Sequence, residues 1–307
     1  MDVFRGLDGF RVRRRAAAVA VGNFDGVHLG HQRILARLCT LARSRGLRSL
    51  VLTFDPHPER ALGQKTVRMI DTLAQRLDRL RESCVDEVLV IPFDRTFSAL
   101  DGAEFVDQVL VRRLAAREVV VGRGFRFGRK RRADTAALRT LGRASGFGVH
   151  IVPPVVVDGA IVSSSRIRRL LGRGRVGEAA ILLGRPYEIT GRVVRGASRG
   201  KRIGVPTANV EAANEILPEG VYITETVWRG QARPSVTSIG TNPTFGPNSL
   251  TVETHILNGR FDLYGAGLIV RFLARIRPQK RFADARPLAS RMRRDIEIAR
   301  AHFGPTG

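Results

Sequence analysis

The sequence predicts two domains of different class. Residues 1–184 read as an α/β domain built on a parallel sheet, and residues 185–307 as a small antiparallel β-barrel with one C-terminal helix. Three observations carry this. Short apolar runs alternate with helical patterns through the first half. After the Gly184-Arg185-Pro186 break the texture changes to strands separated by turn signals, with no helical pattern before residue 287. The chain, at 307 residues, is also long for one domain and comfortable for two.

In the first half the apolar runs at 16–21, 49–54, 87–91, 118–122 and 150–153 have the length and continuity of strands buried on both faces. The helical patterns between them span 32–45, 71–81, 103–114 and 134–146. Alternation at this spacing makes crossover units, and ligands of such sheets bind at the carboxyl ends of the strands. Helical stretches at 165–173 and 176–183 close this half. In the second half 187–195, 221–227, 231–239, 250–257 and 268–276 read as strands, and 287–302 as the single helix.

Hydrophobic residues make up 43% of the chain, enough for a packed core in each half. The two cysteines, Cys39 and Cys84, lack CxxC spacing and are expected as buried, reduced thiols of a cytoplasmic protein. Arg11 to Arg15 followed by the apolar run at 16–22 imitates a secretory signal. That run is too short, and no stretch reaches the ~20 apolar residues of a membrane span. The net charge of +24 admits a nucleic-acid reading. The basic residues are instead scattered, as at Arg112-Arg113, 129–132 and 291–294, without interleaved aromatics. This suits an arginine-rich enzyme that handles phosphates, so neither a nucleic-acid nor a membrane partner is expected.

The most informative stretch is Gly22-Asn23-Phe24-Asp25-Gly26-Val27-His28-Leu29-Gly30-His31-Gln32, at the hand-over from the first expected strand to a helix. Glycines let backbone approach an anion, and a helix N-terminus offers unpaired N–H groups and the positive end of the dipole. His28 and His31 are placed to donate to phosphates as charge shifts. The H-x-G-H core resembles the nucleotidylyltransferase superfamily, and the longer N-F-D-G-V-H-x-G-H-Q resembles the bacterial bifunctional riboflavin kinase/FAD synthetase family. The resemblance implies a Rossmann-like nucleotidylyltransferase fold for the first half. It also implies nucleotide contacts from Gly22, Asn23, Phe24, Asp25 and Gly26, with His28 and His31 catalytic.

Further segments continue that resemblance in order. Thr53-Phe54-Asp55-Pro56-His57-Pro58 matches T-F-x-P-H-P, which implies His57 near the flavin and nucleotide, in preference to a packed loop histidine. Val121-Gly122-Arg123-Gly124-Phe125-Arg126-Phe127-Gly128 resembles V-G-x-(D/N)-F-x-F-G, with Gly124 where the family has Asp or Asn. Ala133 also replaces a glycine. Ser163-Ser164-Ser165-Arg166-Ile167-Arg168 resembles S-S-(T/S)-x-I-R. Ser165 reads as a helix N-cap, and Ser164, Ser165 and Arg168 are implied to bind the triphosphate.

In the second half, Gly191 to Gly196 and Gly200-Lys201-Arg202-Ile203-Gly204-Val205-Pro206-Thr207-Ala208-Asn209 resemble the riboflavin kinase pattern G-x-V-x-x-G…G-(R/K)-x-x-G-x-P-T-A-N. The implied nucleotide contacts are Gly196, Gly200, Lys201, Gly204 and Pro206. Thr207 and Asn209 offer neutral oxygens suited to Mg²⁺. Asn242 and Phe245, in Gly240-Thr241-Asn242-Pro243-Thr244-Phe245-Gly246, are implied to line the pocket. Glu253, in Thr251-Val252-Glu253-Thr254-His255, is implied to be the general base for the riboflavin hydroxyl. Asn258-Gly259 departs from the family, and Arg300 is either a flavin contact or a solvated helix end.

The implied chemistry is ATP + riboflavin giving FMN + ADP, then ATP + FMN giving FAD + diphosphate, each with Mg²⁺. The Gly124 departure leaves a kinase with an impaired or repurposed adenylyltransferase half as the alternative. The charge leaves a non-enzymatic flavin- or nucleic-acid-binding regulator as the more distant one.

Overall fold

A computed structural model describes residues 1–10, 15–63, 67–195, 205–241, 250–259, 261–280, 282 and 284–304. Two compact units divide between Ser163 and Ser164.

The first unit holds β1 (Asp2–Arg5), β2 (Ala17–Val21), α1 (Leu29–Ser44), β3 (Arg48–Phe54), α2 (Pro58–Ala61), α3 (Leu73–Arg81), β4 (Glu87–Ile91), α4 (Arg95–Ala99) and α5 (Gly102–Glu104). A π-helix (Phe105–Arg113), β5 (Ala116–Gly122), α6 (Thr135–Ser145), β6 (Gly148–Val152) and the two-residue strands β7 (Val156–Val157) and β8 (Ala160–Ile161) follow. Strands β1 to β6 form one sheet in the order β1-β4-β3-β2-β5-β6, every pair parallel. All five expected strands and all four expected helices of the sheet are present. The edge strand β1, with the charged sequence Asp-Val-Phe-Arg, has no apolar run to announce it. The pattern at 103–114 winds mainly as a π-helix.

Period-two alternation sends successive strand residues to opposite faces. Ala17, Val19 and Val21 of β2 join a core with Leu50, Leu52, Leu89 and the π-helix residues Phe105, Val106 and Val109. Ala18 and Ala20 join the other core with Val51, Val88 and Leu35, Leu38 and Leu41 of α1. Small residues on β2 let layers pack closely from both sides, which is the covered parallel sheet expected.

Cys39 of α1 and Cys84, just before β4, are joined as a disulfide with Cα atoms 6.1 Å apart. This corrects the expectation of reduced thiols. A separation of 45 residues carries no local signal; α1 packs across β2 and β3 and β4 pairs beside β3, which brings the sulfurs together.

The second unit holds α7 (Ser164–Gly172), α8 (Val176–Leu183), β9 (Tyr187–Val194), β10 (Ala208–Ala212), β11 (Gly220–Trp228), β12 (Gln231–Thr241), β13 (Leu250–Ile256), β14 (Gly267–Arg277) and α9 (Ala285–Phe303). The strands close a barrel in the order β10-β13-β12-β11-β14-β9, with every described pair antiparallel. Helices α7 and α8, which the sequence texture places before the break at Gly184, fall in the second compact unit. Arg275 of β14 donates to the carbonyls of Arg173 (3.2 Å) and Glu219 (3.1 Å), tying the α7–α8 turn to the barrel. Val176, Ala179, Leu182 and Leu183 of α8 are buried. Helical periodicity at 165–183 shows an apolar face but not which unit buries it.

The barrel interior is partly polar. Thr224, Thr226, Ser235, Thr237 and Thr254 are buried and bond one another: Thr224 to Ser235 and Thr237 at 2.8 Å, and Thr237 to Thr254 at 2.9 Å. Hydroxyls both give and accept, so the cluster satisfies itself. Helix α9 is held by Asp295, which accepts from Arg277 Nη2 at 2.8 Å and from its Nε at 3.0 Å.

Arg48 and Glu87 form a buried ion pair between β3 and β4. Arg48 also donates to the carbonyls of Arg15 (2.8 Å) and Leu114 (2.9 Å). Removing one partner strands a buried charge. We expect Glu87→Ala to destabilise the first unit by about 3–5 kcal/mol, read as a lower urea midpoint; a change within about 0.5 kcal/mol would mean that the other Arg48 bonds suffice.

Candidate functional site

The first candidate site lies at the carboxyl end of β2, where the chain turns through residues 22–28 into α1. The turn is tight. Phe24, Gly26 and Val27 have φ of +50°, +83° and +35°, a conformation that a β-branched residue adopts only under constraint. The constraint comes from both sides. Phe24 is buried in the core beneath. The Asp25 carboxylate, also buried, accepts from the backbone N–H of Ile70 at 2.9 Å and of Asp71 at 3.4 Å. Phe24 and Asp25, expected to face the nucleotide, therefore turn inward and hold the loop. Gly22 and Asn23 face a cavity.

His28 caps α1: its Nδ1 accepts from the His31 backbone N–H at 3.4 Å. This leaves the Nε2 of a neutral His28 as its N–H donor. The two imidazoles stack with ring centroids 3.7 Å apart. Gly30 makes the stack possible, because a Cβ there would meet the His28 ring at 3.1 Å. Burial pushes the His31 imidazole well below its ordinary pKa, and the neighbouring His28 and Arg76 push the same way. Its Nδ1 is buried without a partner among the described residues.

Arg76 was not singled out by motif reading. It is 1% exposed, donates to the Asn23 carbonyl at 2.9 Å and lies 3.6 Å from Asp55. Thr53 donates to the same carbonyl at 3.1 Å. Burial lowers the pKa of the Arg76 guanidinium, while Asp55, Asp25 and Asp71 favour its charge. The available signal was an arginine on the apolar face of α3, three residues after Leu73 and four before Leu80.

The cavity beside Gly22 and Asn23 has a volume of about 230 Å³ and is lined by Phe54, Phe93, Phe97, Phe105, Phe125 and Phe127. These six come from β3, the loop after β4, α4, the π-helix and the loop after β5, and converge only in the fold; Phe125 and Phe127 stack at 5.5 Å, and Phe54 meets Phe93 edge-on at 5.4 Å. His57 lines the polar end, 2.8 Å from the Asn23 amide. Such a slot suits a flat, apolar aromatic ring with a polar tail. Gly124 also lines it, and a Cβ there would have no atom within 4 Å. Steric demand does not explain the glycine.

Ser164, Ser165 and Arg168 begin the second unit. Helix α7 starts at Ser164, so Ser165 lies in its first turn and not at the cap.

The second candidate site is on the barrel wall. Asn209 of β10 is registered directly opposite Glu253 of β13. Opposed residues of an antiparallel pair share a face. Val210 and Val252, also opposed, are buried, so Asn209 and Glu253 face away from the core. Thr207 donates its hydroxyl to Glu253 Oε2 at 3.3 Å. The structure thus brings Thr207, Asn209 and Glu253 together. Just along the wall, His255 Nδ1 donates to the Pro206 carbonyl at 2.7 Å. Burial lowers the His255 pKa, the Pro206 carbonyl opposes this, and Arg300 adds to it. A cleft of about 400 Å³ beside Leu257 is lined by Asn258 and by Arg300 of α9. Gly196, Gly200, Lys201, Gly204, Asn242 and Phe245 lie outside the described residues.

The hydroxyl of Thr207 and the amide oxygen of Asn209 are hard donors of the kind Mg²⁺ takes. Among the described residues no group of three His, Cys, Asp or Glu could hold a metal. That combination fits an ion shared with substrate phosphates better than one caged by protein.

A model of the FAD synthetase family matches residues 11–166, and a model of the riboflavin kinase family matches residues 183–303. The bifunctional riboflavin kinase/FMN adenylyltransferase of Pseudomonas fluorescens is 37% identical over 308 residues, covering 100% of this chain and 99% of that one. The chain belongs to the bifunctional riboflavin kinase/FMN adenylyltransferase family. The member from Escherichia coli K12 is 36% identical over 310 residues, again with 100% and 99% coverage. A crystal structure from Streptococcus pneumoniae, described as a macrolide-efflux protein, superposes with a TM-score of 0.88 at 29% identity, covering 97% of this chain and 99% of that one. Among the described residues here, no helix is long and apolar enough to cross a membrane.

A buried neutral histidine has a sign in stability. The unfolded chain takes up a proton near 6.5, while folded His31 resists it, so its contribution is present above that pH and lost below it. The first unit is expected to lose stability between about pH 7 and pH 5, and His31→Gln to reduce that loss. An identical pH profile in the variant would assign the loss to other groups.

Proposed function

We propose that the second unit phosphorylates riboflavin to FMN and that the first unit adenylylates FMN to FAD, each consuming its own ATP. The observation that carries the kinase half is the outward-facing set Thr207, Asn209 and Glu253. Glu253 accepts the proton of the riboflavin 5′-hydroxyl as that oxygen attacks the γ-phosphorus, and ADP leaves. Thr207 and Asn209 are the residues that would hold Mg²⁺, which supplies charge neutralisation on the transferring phosphate. The cleft at Asn258 and Arg300 is of a size for a flavin.

For the adenylyltransferase half, the phenylalanine-lined cavity takes the isoalloxazine ring. The FMN phosphate is thereby directed toward Gly22, Asn23 and the start of α1, where an oxygen attacks the α-phosphorus of ATP and diphosphate leaves. His28 and His31 donate to the phosphates, and the N-terminus of α1 favours the charge. No covalent intermediate on the protein is required. Ser164, Ser165 and Arg168 are assigned to triphosphate binding on their motif, with residues 1–184 read as the adenylyltransferase half.

No nucleic-acid partner is proposed. Several arginines serve as multivalent donors inside the fold, as Arg48, Arg76 and Arg277 do. Such arginines raise the charge without making a binding stripe. A cytoplasmic location follows from the demand for ATP at both sites. The Cys39–Cys84 bond is the feature that runs against a reducing compartment.

The deciding experiment is a time course with riboflavin, ATP and Mg²⁺, with flavins separated by chromatography. FMN first and FAD later is the expected result. FMN without FAD would point to an impaired first half, and neither product would overturn the reading. Glu253→Ala should lower riboflavin phosphorylation about 10²–10⁴-fold while FAD still forms from added FMN; near-normal turnover would remove Glu253 as base. Gly124→Asn adds a polar side chain into open space and is expected to speed FAD formation about tenfold, the worth of one well-placed hydrogen bond. An unchanged rate would show that the position is unused.

A further inference from the structure

The register of β10 against β13 stops just short of Thr207. Ala208 opposes Thr254 and Asn209 opposes Glu253. Continued by one step, the register would oppose Thr207 to His255. The ladder does not continue. Pro206 has no N–H to donate, and 205–207 lie outside any strand. Thr207, whose hydroxyl must meet both Glu253 and the nucleotide, therefore stands on backbone that sheet pairing does not hold. The stretch before it, 196–204, lies outside the described residues.

A side chain takes the place of the missing ladder bond. His255, two residues beyond Glu253 and on the same face of β13, donates Nδ1–H to the Pro206 carbonyl at 2.7 Å. We propose that His255 is a positioning residue for riboflavin phosphorylation: it latches Pro206 to β13 and so holds Thr207 against Glu253. The proposal rests on the kinase reading of this wall. His255 takes no proton from substrate. It sets where the Thr207 oxygen lies relative to the base, and a small error in such placement is expressed in turnover more than in flavin affinity.

The bond comes from Nδ1, which makes the test specific. Asparagine can place an amide N–H close to the position of Nδ1; glutamine has similar reach but carries its amide one bond farther out; alanine has no donor. His255→Asn, His255→Gln and His255→Ala are compared with the wild type in the full chain, with four readouts. These are kcat for riboflavin phosphorylation, calorimetric affinity for ADP in the presence of Mg²⁺, riboflavin affinity from quenching of flavin fluorescence, and FAD formation from added FMN. The single tryptophan, Trp228 on β11, reports barrel integrity by its emission.

The glutamine and alanine variants are expected to lose about tenfold in kcat and to bind Mg·ADP several-fold more weakly. The asparagine variant should stay within about threefold of wild type. Riboflavin affinity and FAD formation should not change. Equal kcat in the asparagine and glutamine variants, or wild-type kcat in all three, would overturn the latch. If alanine perturbs the Trp228 emission, the asparagine–glutamine comparison decides alone. A wild-type chain that makes no FMN overturns the kinase reading itself, which the variants' ratios do not address.

Discussion

A buried positive charge organises the first unit. The Arg76 guanidinium lies beneath the turn at 22–28 and holds the Asn23 carbonyl. Water cannot solvate it there, so acidic side chains must. Asp55, Asp25 and Asp71 answer from three separate segments, and Asp25 in turn grips the backbone at 70 and 71. The loop after β2, the loop after β3 and the start of α3 are thereby tied to one point. The same charge, with burial and His28, keeps His31 neutral. Loop geometry and histidine chemistry thus share one electrostatic origin.

The second unit solves a different problem. A six-stranded barrel has little interior, and here part of it is threonine and serine. The hydroxyl cluster closes on itself, so its polarity is satisfied without water. Because the strand period is two, filling the inside with Val210, Val252 and Thr254 obliges Asn209, Glu253 and His255 to line the outside. The residues proposed for the kinase site are therefore positioned by the needs of the core. Where pairing ends at Pro206, a side chain has to substitute for the sheet.

Much of the fold was legible because local pattern encodes it. The strands of the parallel sheet are continuous apolar runs, and both of their faces are covered. Elements lacking such a pattern were missed: β1 is short and charged, and β10 is five residues of mixed character whose place in the barrel comes from its neighbours β9 and β13. The candidate sites were legible to the extent that motifs lie within one stretch. Phe24 and Asp25 belong to the motif but serve the loop, because a strained turn must be held from within. Arg76 and the phenylalanines at 93, 97 and 105 belong to no motif and reach the site only by packing.

The sequence by itself determined the two-part architecture, the order of the motifs and the chemical types gathered at each site, since these depend on periodicity, turn residues and local spacing. Only the tertiary structure decided which residues meet: the pairing of Cys39 with Cys84, the convergence of six phenylalanines on one cavity, the packing of α8 on the barrel, and the hydrogen bond from His255 to the Pro206 carbonyl. The physical reason is that an apolar face or an unpaired donor states a need without naming its partner. Crossovers, strand register and core closure supply the partner, and they are properties of the whole chain.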